Sequence, residues 1–565
     1  MVKMTGSKAF VESLKRHGVK VIFGIIGGAI MPVYDALYDS GIRHIMSRHE
    51  QCAAHAADGF ARACGKPGIC MATSGPGATN LVTGIANAYM DSSPIIAFTG
   101  QVSATSNVSS YVIGKDAFQE ADIIGITTPI TKFNHQVRNV ADVPKAVDMA
   151  FYIATTGRPG PVLIDLPKNV QVETADMDFL HEVKVRGYKP TTNPHPLQVK
   201  KAASLLINAE KPLILAGGGV TISNAFQELL GLAELLLAPV ATTLMGKGCF
   251  PENHPLSLGH IGMHGKPEAN KLILEADVLL AVGTRFSDRS TGRLDTFCKD
   301  AKIIHVDIDP AEIGKNVDID LPIVADAKKA LKAIHIAIAE KIQKKEDSQW
   351  LRRVKEVKEQ QNSNANAGDE MKPGTLLKVL RQLLPEDAIV TTEVGQNQMW
   401  AALHFKAIKP RTYITSGGLG TMGFGFPAAL GAKVACPKRI VMDIAGDGSF
   451  IMTEQELACS VEENIPVTVI ILNNSVLGMV AQWQRLFYNR RYIAVNLGRV
   501  PDFVKLAEAY GAQGVRVGSL DDFTKAVEKA IRSDVTTVID VPIHSEENVL
   551  PIIPPERGLD EMILG

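Results

Sequence analysis

No apolar run in this sequence is long enough to cross a bilayer as a helix, which takes about 20 residues, so a spanning segment is not expected. Nor do the opening residues lead one to expect a targeting segment. The opening MVKMTGSKAFVESLKRHG has neither the apolar core of a signal peptide nor the Arg/Ser bias of a transit peptide, and it reads as the first helix of the fold, capped by Thr5 or Ser7. Neither sign of charge is in excess: 59 Lys and Arg stand against 60 Asp and Glu, a net charge of −1. That leaves no electrostatic case for nucleic acid or an anionic membrane as partner, and points to a small ligand or another protein. The seven cysteines, at 52, 64, 70, 249, 298, 436 and 459, are an odd number without a CxxC spacing. They argue against a disulfide framework and predict reduced, mostly buried thiols in a cytoplasmic protein. No short internal repeat is visible.

At 565 residues and 46% apolar side chains, the chain exceeds what one core organises. Over residues 1–175, short apolar runs (Val21 to Phe23, His44 to Met46, Ile69 to Thr73, Ile95 to Thr99, Val162 to Leu166) alternate with amphipathic stretches. This is the pattern of a doubly wound parallel sheet. The period is lost around residues 172–196, which contain KPTTNPHP and read as a linker. A second block covers 195–340, with strands expected at Leu213 to Ala216, Val278 to Val282 and Ile303 to Ile308. A charged helical piece and the polar spacer QQNSNANAGDEMKPG separate it from a third block at 370–545, and a Pro-containing tail occupies 546–565. The expected fold class is α/β, with three doubly wound parallel-sheet domains.

The third block holds the most informative stretch. Ile440 to Ala445 reads as a strand broken by Gly446-Asp447-Gly448, and Thr453 with Glu456 has the spacing of a capping box opening a helix. A second strand, Val467 to Leu472, ends in Asn473-Asn474, so a helical crossover brings Asn474 beside Asp447 at the edge where open parallel sheets bind ligands. Asp447, Asn474 and the carbonyl of Val476 are hard oxygen ligands of the kind Mg2+ takes, with phosphate oxygens completing the shell. Taken singly, GDG is also a tight turn and NN a strand-end cap.

Gly448 and Asn473 are separated by 24 residues, and the pair resembles the GDG…NN metal-diphosphate motif of thiamine diphosphate (ThDP) enzymes. Glu50, where a strand meets an Ala-rich helix, resembles the catalytic glutamate of the same family, which bonds N1′ of the aminopyrimidine and promotes its imino tautomer. Without that company it is an ordinary first-turn glutamate. Around Gly75-Pro76 and Asn80 the wording is close to the family's, although a plain strand-to-helix turn reads alike. The resemblance implies ThDP contacts from Glu50, Gly75, Pro76, Asn80, Val394, Gly395, Gln396, Asn397, Gly420, Met422, Gly448, Ser449, Gly478 and Met479, with Met422 as the apolar wedge beneath the cofactor.

LGMVAQWQRLFY, Leu477 to Tyr488, narrows the resemblance to the acetohydroxyacid synthase catalytic subunits. Such enzymes decarboxylate pyruvate and join the remaining two carbons to pyruvate or 2-ketobutyrate. The resemblance implies catalytic roles for Glu50, Gln119, Lys168 and Trp483, with Trp483 bordering the acceptor pocket and Phe118 near the substrate channel. It further implies a non-redox FAD at Arg158, Gly217, Gly218, Gly219, Thr243, Leu244, Met263, His264, Gly283, Arg285, Asp288, Arg289, Asp307 and Asp309, the alternative being a cofactor-free middle domain. A homodimer or homotetramer is implied, with a small regulatory subunit as a further partner. The chain departs from the family at Ile25-Ile26, at Ser287, Ser290 and Asn397, and in about six extra residues between Gln101 and Asp116. Two other readings stand beside it: a catabolic acetolactate synthase or 2-keto acid decarboxylase, which would share Glu50 and the metal motif, and a non-catalytic regulatory paralogue of the fold, which usually loses the glutamate or the metal ligands that this chain keeps.

Overall fold

Three six-stranded sheets, each parallel throughout, carry the chain in a computed structural model that describes residues 2–105, 112–180, 183–344, 346–363 and 371–564. The first runs from Arg43–Met46 through Val21–Gly24, Gly68–Ala72, Ile95–Gln101 and Val162–Pro167 to Phe133–Gln136. In the third the order is Tyr413–Thr415, Ile389–Thr392, Val441–Gly446, Thr468–Asn473, Thr537–Pro542, Gln513–Arg516, which is the same topology. The middle sheet runs Ser257–His260, Val240–Thr242, Pro212–Ala216, Val278–Val282, Lys302–Asp307, Leu321–Val324, the 3-2-1-4-5-6 order of dinucleotide-binding sheets. Ile95–Gln101 and Val278–Val282 are buried along their whole length, as expected of strands covered by helices on both faces. The α/β class and the three sheets match the expectation from the alternating pattern.

Strand order reverses between Val21–Gly24 and Gly68–Ala72, between Pro212–Ala216 and Val278–Val282, and between Ile389–Thr392 and Val441–Gly446. At the carboxyl ends beside these three crevices lie Gly75-Pro76, Gly217 to Gly219 with Gly283, and Val394-Gly395 with Asp447.

Several expectations are corrected. The N-terminus begins with a strand, Val2–Thr5, paired antiparallel with Thr174–Met177 from within the stretch expected to be a linker; the helix Gly6–Arg16 follows, and Thr5 Oγ1 does accept the Lys8 N–H. The helix Gln349–Ser363 extends into the polar spacer, whose residues 364–370 lie outside the described part. The tail is not a separate piece: Ile553 and Leu559 are buried in the core of the middle domain, and the Ile553 N–H donates to Met263 O at 2.9 Å. Of the extra residues before Asp116, 106–111 lie outside the described part, and the Ile113 N–H closes the base of the loop on Ser103 O at 3.0 Å.

The first and third domains meet along two helices, Glu50–Cys64 and Gly425–Ala435. Their backbones touch through glycine: a Cβ on Gly431 would overlap the carbonyl oxygen of Ala56, and one on Gly59 that of Ala428. Alanine normally stabilises a helix interior over glycine by up to about 1 kcal/mol. At Gly431 the overlap outweighs this, and Gly431→Ala is expected to destabilise the protein by about 1–3 kcal/mol, read as a lower denaturant midpoint. An unchanged midpoint would contradict the close packing.

Candidate active site

The Gly446-Asp447-Gly448 turn and the Asn473-Asn474 strand end lie side by side as the crossover predicts, but one detail differs. Val441–Gly446 ends in Asp447, which heads a short helix, and the parallel neighbour Thr468–Asn473 ends beside it. The expected capping box between Thr453 and Glu456 does not form: the helix begins at Glu456, whose carboxylate instead accepts the backbone N–H groups of Arg48 (2.6 Å) and His49 (3.3 Å), and Thr453 Oγ1 is buried without a partner. A carboxylate can cap its own helix or answer a distant donor, and here the distant donors prevail.

Asp447 is 2% exposed. Burial pushes its carboxyl up to about 6, against the pull of the Gly448 and Ser475 N–H groups, and its Oδ2 has no hydrogen-bond partner. Asn474 donates Nδ2 to Gln396 Oε1 at 3.0 Å, which turns its own oxygen away from Gln396; that oxygen takes only a long bond, 3.3 Å, from the Val476 N–H. Ser475 in between adopts a left-handed φ of 58°, reversing the chain so that Val476 bridges to Asn496. A buried carboxylate oxygen without a donor, beside an amide oxygen, fits a hard cation. Among the described residues no three His, Cys, Asp or Glu side chains cluster as a ready-made metal site, so oxygens of a ligand would have to complete the shell.

These groups line a hollow of about 80 Å³. Val394, Gly395, Gln396 and Asn397 form one wall, Gly448 and Ser449 the floor, and Gly478, Met479 and Met422 the rest. Gly478 is glycine for contact reasons, because a Cβ there would collide with Gln396 Oε1. Asn397 directs its amide protons at the carbonyls of Glu393 (2.9 Å) and Ile444 (2.8 Å), so it ties two strand ends together rather than offering a donor to a diphosphate.

Glu50 opens the helix Glu50–Cys64 and is 8% exposed. Asn80, in the Pro76–Asn80 helix after the Gly75 turn, donates Nδ2 to Glu50 Oε2 at 2.9 Å. Gly75 has φ +58°, and a Cβ there would press on Gln119, itself at φ +60°. Phe118 is 88% exposed, and Lys168 is exposed at the end of the strand Val162–Pro167. Glu50, Gln119 and Lys168 line neither the Asp447 hollow nor the larger cavity described next.

That cavity, about 1090 Å³, lies where the three domains meet. The expected flavin residues Gly218, Gly219, Thr243, Leu244, Met263 and His264 line it, as do Arg158, Gly283, Arg285, Asp288, Arg289 and Asp307. Gly217 sits behind the wall, its N–H on Val282 O. Asp309 also stands back, and shares Arg158 with Glu312: Arg158 Nη1 lies 2.6 Å from Glu312 and 3.3 Å from Asp309. Burial pushes the Asp307 carboxyl up to about 6 and, with Arg158 nearby, pulls the Arg285 guanidinium down. The opposite end is formed by Gly420, Met422, Met479, Val480 and Trp483. Val394, Gly395, Met422, Met479 and Val480 line both spaces, so the large cavity and the metal hollow share a wall.

In the signature helix Gly478–Phe487, Trp483 faces the cavity and packs edge-on against Phe487 at 5.6 Å. Gln482 faces inward, accepting from Gln396 Nε2 (2.9 Å) and the Val549 N–H (2.7 Å). Sequence reasoning passed over Glu312 and Glu393, and read Glu456 only as half of a capping box. Glu393 immediately precedes Val394, is fully buried with its carboxyl pushed up by burial, and accepts the N–H groups of Gly423 and Phe426, fixing the loop after Met422. The signal for it was a carboxylate between an apolar strand and a glycine turn.

Comparison with known families agrees with this geometry. Residues 4–126 match the N-terminal TPP binding domain of thiamine pyrophosphate enzymes, 199–334 the central domain, and 393–541 the C-terminal TPP binding domain. The chain is 53% identical to a probable acetolactate synthase large subunit of Methanocaldococcus jannaschii, over 99% of this chain and 95% of that protein. It is 46% identical to the acetolactate synthase large subunit of Corynebacterium glutamicum (98% and 88% covered) and 44% identical to that of Buchnera aphidicola (99% and 98%). Family domains in this order, and relatives matched along nearly their whole length, decide the matter: the chain belongs to the thiamine diphosphate enzymes and, among them, to the acetolactate synthase large subunits.

Proposed function

We propose that this acetolactate synthase works in a site built from two copies of the chain, with a magnesium-bound diphosphate at Asp447 of one and Glu50 supplied by the other. The observation that supports this is that Glu50 lines neither the Asp447 hollow nor the large cavity of its own chain. Asp447, Asn474 and the Val476 carbonyl would hold Mg2+, and the buried, partnerless Oδ2 of Asp447 supports that fit. Gly448, Ser449, Gly395, Gln396 and Gly478 would surround the diphosphate. ThDP, when bound, supplies a thiazolium carbon that adds to a 2-keto acid and accepts the electron pair left by CO2. Glu50 holds the proton at the aminopyrimidine N1′, with Asn80 fixing the carboxylate. Met422, which lines both spaces, would supply the apolar wedge against the cofactor.

The large cavity suits a flavin, held without a redox role. Its sheet has the dinucleotide-binding order, and Asp307 lies at a strand end facing the cavity. Pyruvate is the donor and pyruvate or 2-ketobutyrate the acceptor, serving branched-chain amino-acid synthesis, with Gln119 and Lys168 near the channel. The functional unit is a homodimer or homotetramer in the cytoplasm, joined by a small regulatory subunit, in keeping with relatives named large subunits.

A competition assay with pyruvate and 2-ketobutyrate, with and without FAD, tests chemistry, acceptor choice and flavin need together. Acetaldehyde as the main product from pyruvate alone would overturn the reading. Trp483→Leu is expected to cut the preference for 2-ketobutyrate about tenfold, since one methylene in an apolar pocket is worth about 1–3 kcal/mol. An unchanged product ratio would remove Trp483 from the acceptor pocket.

A further inference from the structure

The proposed role of Glu50 leaves open what holds its backbone in place. Asn80 fixes the carboxylate, but the edge strand Arg43–Met46 and the turn after it, Ser47 to His49, run along a helix of the third domain, Glu456–Glu462. Arg43 reaches Glu463, Arg48 pairs with Glu462, and Glu456 accepts the two N–H groups immediately before Glu50. The first two contacts are made at the surface and contribute little. Glu456 is 1% exposed, and the thiols of Cys52 and Cys459 also donate to it, so its carboxylate is enclosed by donors from the strand-to-helix turn and helix that carry Glu50, and from its own helix. A buried acceptor of two adjacent main-chain donors fixes the direction of the turn they belong to.

We infer that Glu456 is a positioning residue for Glu50, acting through the backbone of Arg48 and His49. The inference rests on the reading of Glu50 given above. It has a further content: Glu456 lies nine residues beyond Asp447 on the same segment. If each site takes its two ends from different chains, Glu456 ties the pyrimidine end of one site to the metal end of the other. Burial pushes the Glu456 carboxyl up to about 7, while the N–H groups of Arg48 and His49 and the two thiols pull the other way.

The test compares Glu456→Gln, which keeps an acceptor oxygen, with Glu456→Ala, which removes it, in the full-length enzyme loaded with Mg2+ and ThDP. The readout is exchange of the thiazolium C2 proton for deuterium, followed by NMR after acid quench, alongside ThDP affinity by calorimetry. Glu456→Ala is expected to slow exchange about 10- to 100-fold, as loss of an orienting partner does elsewhere, with affinity changed less than about threefold. Glu456→Gln is expected to recover exchange to within about threefold of the parent, because it restores the acceptor. Parent-like exchange in Glu456→Ala, or equal slowing in both variants, would overturn the inference. Should Glu456→Ala not fold, Glu456→Met keeps the bulk without the acceptor and is read in the same way. Glu50→Gln is measured beside them: normal exchange there would mean that the role of Glu50, not of Glu456, is wrong.

Discussion

Glu50→Gln is expected to bind ThDP and Mg2+ about as well as the parent and to lose about 10²- to 10³-fold in kcat, the usual weight of a positioned acid or base. The substitution keeps shape and leaves an oxygen for the Asn80 amide, which donates to Glu50 Oε2 at 2.9 Å. What it removes is the ability to hold and release a proton. The metal hollow, formed by other residues, is untouched. Acetolactate formation under saturating pyruvate gives kcat, and calorimetry gives the affinity. Near-normal turnover with cofactor bound would refute the role of Glu50.

At the other end, Asp447→Ala is expected to abolish magnesium-dependent ThDP binding. Removing even an outer partner of a metal ligand weakens metal binding about 10- to 100-fold, so loss of the carboxylate ligand itself is expected to cost at least about 100-fold. Asp447 is the carboxylate in the hollow, Asn474 and Val476 offering neutral oxygens. The check need not involve turnover: at about 100 times the dissociation constant, a ligand stabilises the folded state by about 2.7 kcal/mol, so Mg2+ and ThDP should raise the melting temperature of the parent and leave that of the variant where it was. An equal thermal shift in parent and variant would dismiss the metal assignment.

How far the sequence revealed the site depends on whether the signal was local. Asp447 and Asn474 were legible because a strand, a turn and a helical crossover of fixed length bring them together whatever the rest of the chain does. The middle-domain glycines were legible for the same reason, each following a strand. Glu456 was misread because Thr453 three residues earlier imitates a capping box, whereas its partners, Arg48 and His49, lie in another domain. Gln482 and Trp483 are neighbours in one signature, yet one braces Val549 and Gln396 and the other lines the cavity; helical rotation separates them, and a motif read as a string does not show it. The strand Val2–Thr5 escaped notice because its partner, Thr174–Met177, comes from the far end of the domain.

The helix pair Glu50–Cys64 and Gly425–Ala435 also bears on how the molecule comes apart. A single apolar cluster runs through both domains, from Phe23 and Ala57 in the first to Phe426, Phe450 and Phe503 in the third, while the middle domain keeps clusters largely its own. The two outer domains, distant in the chain, therefore form one cooperative unit. Each also keeps a cluster of its own, so the shared cluster joins two domains across one flank of each. A ribosome that has released only the first domain has made a sheet with an uncovered flank. That flank stays open until more than two hundred further residues have emerged, roughly the stretch from 175 to 425.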